Sequence, residues 1–148
     1  MGLFDKLLGG QTSSNVVLDK REALAGILLV TVASDGHISD EEAGAFNATV
    51  NRMALYKTQS GSEFSSMLDK LLGLLKKHGH SFLLEKAAKG LPSELRDTAF
   101  ALATDLVFAD GHVEAEEKEL LENIQQCLEI PDDVALKIIE VLQIKNRG

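Results

Sequence analysis

One octapeptide pattern occurs twice in this chain: Asp35-Gly-His-Ile-Ser-Asp-Glu-Glu42 and Asp110-Gly-His-Val-Glu-Ala-Glu-Glu117. The offset that carries Asp35 onto Asp110 superimposes the two, and it also places Arg21 on Arg96 and Glu22 on Asp97. Each copy follows an Ala-rich apolar run and leads into a Glu-rich one. Two copies are too few for a solenoid. The economical arrangement is a pseudo-two-fold domain in which two helix-hairpin-helix units share one core.

The residues around the pattern define the elements. Abundant Ala, Leu, Glu and Lys, with two Pro and no Trp, favour helix over strand. The chain of 148 residues, 45% hydrophobic, suits one domain. The expected fold is therefore all-α, a compact bundle of about seven helices with an internal repeat. Residues 1–15 form a short amphipathic segment and linker, and residues 16–148 form the helical domain. In the segment Leu3, Phe4, Leu7 and Leu8 are expected to share one side of a short helix that Gly9 and Gly10 would end. They are the candidate contacts with a partner or a membrane, or with the domain itself.

Helices are expected from Val16 to Ser34, from Ser39 with Ala43, Phe46, Val50 and Met53 on one face, and through Phe64 to Leu75. Others are expected over 81–89, from Ser93 to Phe108, through Leu120 to Leu128, and from Pro131, with Asp132 and Asp133 at the positive end of its dipole. Asp105, within the apolar run of the fifth, is expected to bond a neighbouring helix end or to face the acidic hairpins. Cys127 is expected in the core.

Charge narrows the function. The net charge is −8, and Asp35 to Glu42 together with Asp110 to Glu119 carry all of it, the remainder holding 14 acids and 14 bases. Nucleic acid is a poor partner for such a surface, while cations and basic protein surfaces are good ones. The longest apolar-rich run, Ala23 to Ala33, is about half the ~20 residues of a membrane span. A lone cysteine and the lack of a secretory leader point to the cytoplasm, with peripheral attachment to the inner membrane if the first residues dock there.

Each hairpin also has the second half of an EF-hand calcium loop: Asp, then Gly for the turn, then Glu. The first half is missing, because Thr31 and Ala33, or Leu106 and Phe108, stand where the first ligands belong. Neither hairpin alone supplies the six to eight oxygens that a hard cation takes. A divalent ion, Ca²⁺, Mg²⁺ or Zn²⁺, would have to be shared between hairpins. Folding explains part of the pattern too: Gly36 and Gly111 suit the turn, Ile38 and Val113 plug the core, and Ser39 with Glu42 reads as a capping box. His37 and His112 are expected to be exposed, and His78 and His80 to end a helix. There is no nucleophile elbow, phosphate loop or His-Glu-x-x-His helix, so neither an enzyme nor an organic cofactor is expected.

The run from Leu91-Pro-Ser-Glu-Leu-Arg through Ala-Leu-Ala-Thr-Asp-Leu-Val-Phe-Ala-Asp-Gly-His-Val-Glu-Ala-Glu-Glu, with its partner Ala33-Ser-Asp-Gly-His-Ile-Ser-Asp-Glu-Glu, resembles the bacterial tellurite-resistance TerB family over about Val16 to Ile144. The opening Met-Gly-Leu-Phe-Asp-Lys is similar in style. The resemblance implies about seven helices, a role in tellurite or other chemical stress, and membrane-associated stress proteins as partners. It also implies metal-ion binding at Asp35, Glu41, Glu42, Asp110, Glu116 and Glu117. The reading that competes with it is a metal-free acidic adaptor for a basic protein surface or a membrane.

Overall fold

The computed structural model describes residues 16–33, 38–109 and 111–147. Seven α-helices occur among them: α1 Lys20–Val32, α2 Asp40–Asn51, α3 Gly61–His78, α4 His80–Gly90, α5 Arg96–Phe108, α6 Ala115–Cys127 and α7 Asp132–Lys145. Short 3₁₀ turns at Ala54–Tyr56 and Ser93–Leu95 precede α3 and α5. No strand occurs among the described residues.

Helix α1 is the hub because it has no polar face to give to solvent. Its residues Ala23, Leu24, Ala25, Gly26, Ile27, Leu28, Leu29 and Val30 are all buried, as expected of a helix apolar on every side. It packs against α2, α3, α4 and α5. Burying a Leu or Ile side chain contributes roughly 1.5–3 kcal/mol before entropy is counted, so this run anchors the core. Phe46, Phe100, Leu71, Leu83 and Ile124, from five other helices, are fully buried in the same core.

Helix α4 returns alongside α1 and approaches it closely at one end. A Cβ at Gly90 would overlap the carbonyl oxygen of Leu18, so only glycine fits there. At the other end the His80 ring donates through Nε2 to the Ala33 carbonyl at 2.8 Å, holding the α3–α4 turn against the end of α1 from which the first hairpin leaves. His78 closes α3 and stacks on Phe82 with ring centroids 4.2 Å apart. His78 thus ends a helix as expected, whereas His80 begins the next one.

The two arginines paired by the repeat do the same work. Arg21 donates from Nε to the Leu55 carbonyl at 2.9 Å, and Arg96 donates from a terminal nitrogen to the Leu128 carbonyl at 3.0 Å. Each ties the start of one helix to the chain leaving the following Glu-rich helix. In the first copy the clamp is doubled, because the Tyr56 hydroxyl donates back to the Arg21 carbonyl at 2.7 Å. Burial pushes the Tyr56 phenol well above its usual value.

Several boundaries differ from expectation. The first helix begins at Lys20, not Val16, because Asp19 and Glu22 form a capping box: Asp19 N–H donates to Glu22 at 3.0 Å and Glu22 N–H to Asp19 at 2.9 Å. Ser93 opens a 3₁₀ turn, and α5 follows only at Arg96. Pro131 stands one place before α7 as its N-cap. Cys127 is exposed; it ends α6 on the solvent side of Ile124 and Leu128, which are the residues that fill the core. Burial and, secondarily, the Glu85 charge still push its thiol up. Asp105 meets the first of its two expectations, accepting from Asn146 at 2.9 Å and Lys145 at 3.1 Å at the end of α7.

Candidate functional site

The Glu-rich helices begin with the same local chemistry. At α2, Ser39 N–H donates to Glu42 Oε1 at 3.0 Å and Glu42 N–H donates to Ser39 Oγ at 3.1 Å. At α6, Glu114 N–H donates to Glu117 Oε1 at 2.9 Å, and Glu117 N–H reaches the Glu114 carbonyl at 3.1 Å. Glu22 at α1 and Glu63 at α3 hold the same third position without any hairpin before them. The last glutamate of each repeat therefore has a folding role: it satisfies an amide that the first helical turn leaves open. The Ser60 amide and hydroxyl at Glu63 lower that carboxyl below its usual range.

Capping occupies one carboxylate oxygen of Glu42 and of Glu117. Both residues also line one cleft, of about 450 Å³, with Glu41. Its walls come from the ends of α1 and α5 and the starts of α2 and α6. Thr31 and Leu106, Val32 and Val107, and Glu42 and Glu117 all line it, and each of these pairs is related by the same offset as Asp35 and Asp110. The cleft is thus bounded by matching positions of the two copies. Ala45 and Ala109 complete its apolar part. Thr31 and Leu106, which stand where an EF-hand would place its first ligand, are wall residues here. The Thr31 hydroxyl bonds back to the Ile27 carbonyl at 2.9 Å.

Of the six acidic positions expected to bind metal, three line this cleft: Glu41, Glu42 and Glu117. Glu116 is exposed and does not line the cleft. Asp35 and Asp110 lie outside the described residues, as do His37, Gly36 and the quartet Leu3, Phe4, Leu7 and Leu8. Among the described residues no group of three or more His, Cys, Asp or Glu is placed to hold a metal ion. Glu41, Glu42 and Glu117 line the cleft without forming such a group. The second hairpin turns at Gly111, whose φ of +81 is left-handed and favours glycine. Its amide donates to the Phe108 carbonyl at 3.0 Å. Ile38 and Val113 are half-buried against the core, and His112 is exposed.

The cleft walls are not singled out by the sequence reading, although their signal is present: the offset between the hairpins runs through Thr31 and Val32 as well as through the acids. No helix among the described residues is long and apolar enough to cross a membrane. No protein-family model, curated protein or solved structure matches this chain.

Proposed function

We propose that this chain is a non-enzymatic chemical-stress protein of the TerB kind, in which two hairpins related by an approximate two-fold pool their carboxylates to bind one divalent cation. The observation that carries the reading is that Glu42 and Glu117, equivalent positions of the two hairpins, line one cleft together with Glu41. Each keeps its Oε2 outside the capping bond. Asp35 and Asp110, which precede the turns, are the ligands that would complete the shell, and Glu116 is a peripheral charge. Carboxylates gathered without a counter-ion repel one another, and a cation relieves that repulsion. The −8 net charge concentrated in the two hairpin segments draws cations toward the same place.

The resemblance to the TerB family supports the stress role, a bacterial cytoplasmic setting and a membrane-associated partner. The apolar walls of the cleft favour a second reading, in which the site takes a lysine or arginine of a basic protein surface. Val32, Ala45, Leu106 and Val107 would cover the aliphatic stem and the glutamates would meet the charge.

Thermal denaturation in series of Ca²⁺, Mg²⁺ and Zn²⁺ separates the two. A bound cation raises the melting temperature in proportion to the logarithm of its concentration, and Asp35→Asn with Asp110→Asn removes the rise. A flat response to all three ions rejects the cation reading, and Tm then rises only with a lysine-rich peptide if the second reading holds.

A further inference from the structure

The two copies differ at one place in a way that leaves space. In the first copy Phe46 of α2 and Phe64 of α3 close the gap between their helices, with ring centroids 6.3 Å apart. The equivalent positions in the second copy are Leu121 of α6 and Ile139 of α7. Burial matches: Phe46 and Leu121 are buried, Phe64 and Ile139 half-buried. Val50 and Leu68 correspond to Gln125 and Gln143. The Gln125 amide is engaged by the Ile130 carbonyl at 3.0 Å and Asp132 at 2.7 Å. Between α6 and α7 lies a groove of about 260 Å³, with Phe100, Phe108, Val113, Leu121 and Ile139 supplying its apolar surface. Lys118 and Glu122, of opposite charge, border it.

The chain carries a segment of matching chemistry. Residues 1–15 precede the described part, and their apolar quartet Leu3, Phe4, Leu7 and Leu8 encloses Asp5 and Lys6. The segment joins the fold at Val16, which packs on the core beside the buried Leu18. The Leu18 carbonyl lies against Gly90, a few residues before α5, and Phe100 of the groove is in the second turn of α5. The stretch from Gly9 to Asn15, extended, reaches roughly 23 Å, which is the tether the quartet has from Val16.

We propose that Leu3, Phe4, Leu7 and Leu8 of the same chain fill the α6–α7 groove, the Phe4 ring occupying the gap that phenylalanine rings close in the first copy. Asp5 and Lys6 then pair with Lys118 and Glu122. The surface expected to reach out to a membrane or a partner is in this arrangement the cover of the second repeat.

Nuclear Overhauser spectroscopy on the full-length protein, labelled in its methyl groups, tests this. Contacts from the Phe4 ring to the methyls of Leu121 and Ile139 are expected. Phe4→Ala should shift those two methyl resonances and leave those of Leu24 and Leu28 in place. Methyls of Leu121 and Ile139 unmoved by Phe4→Ala overturn the proposal. So do contacts seen only between differently labelled chains in a mixed sample, which assign the groove to a second copy. Phe4 resonances that respond only to anionic phospholipid vesicles also overturn it, assigning the segment to a membrane.

Discussion

Glu42 and Glu117 are each asked to do two things, and the two separate by substitution. Glutamine retains an oxygen for the Ser39 or Glu114 amide and suits the capping position, whereas alanine leaves that amide open. Glu42→Ala and Glu117→Ala should each cost about 1 kcal/mol in urea-monitored unfolding, and Glu42→Gln and Glu117→Gln close to nothing. A cost as large for glutamine as for alanine would show that charge, and not the capping bond, stabilises these turns. The capping box is legible in sequence at Ser39–Glu42, where the residue types match the rule. At Asp19–Glu22 the apolar pattern of Val16 to Leu18 outweighs the cap and hides it. Cys127 misleads for a related reason: it lies three places after the buried Ile124, but Leu128 takes the inward position and leaves the thiol at the surface.

At the level of elements, α1 is held by contacts whose consequences have definite signs. Gly90 ends α4 against the Leu18 carbonyl. By helix propensity Gly90→Ala should stabilise by about 1 kcal/mol, but by overlap it should destabilise by about 1–3 kcal/mol. We expect the overlap to win, and a Tm above wild type would show that the α1–α4 contact yields. Tyr56 fastens the loop after α2 to α1 as a neutral phenol, its pKa raised by burial. With the folded value above the unfolded value of about 10, the contribution is fully present below pH 10 and is lost as pH rises beyond it. Stability of the wild type should therefore fall above about pH 10, and Tyr56→Phe should flatten that decline while costing about 1 kcal/mol at neutral pH. An unchanged alkaline limb in the variant would place the titrating group elsewhere. The helices themselves are largely readable from apolar spacing. The contacts that orient them, such as His80 on Ala33 and Arg96 on Leu128, are not, because a polar side chain reaching a distant carbonyl leaves no periodic trace.

Across the whole molecule, the offset between the hairpins organises more than its motif. It pairs the two arginine clamps, the walls of the cleft and the two glutamates that line it, and it also shows where the copies part, at Phe46 and Phe64 against Leu121 and Ile139. That the fold is helical follows from composition and spacing; that Glu41, Glu42 and Glu117 share a cleft requires the packing of α1 on α5, which no local pattern encodes. Glu116 shows the limit in the other direction, since it carries the same sequence signal as Glu41 and yet does not line the cleft. On the proposed reading, two hairpins make one cation site. Anomalous diffraction from crystals of the full chain soaked separately in Zn²⁺ and Ca²⁺ tests it most directly. One peak per chain is expected in the cleft, within about 2.0–2.6 Å of carboxylate oxygens from both hairpins. A peak held by one hairpin alone, a peak elsewhere, or no peak would contradict it.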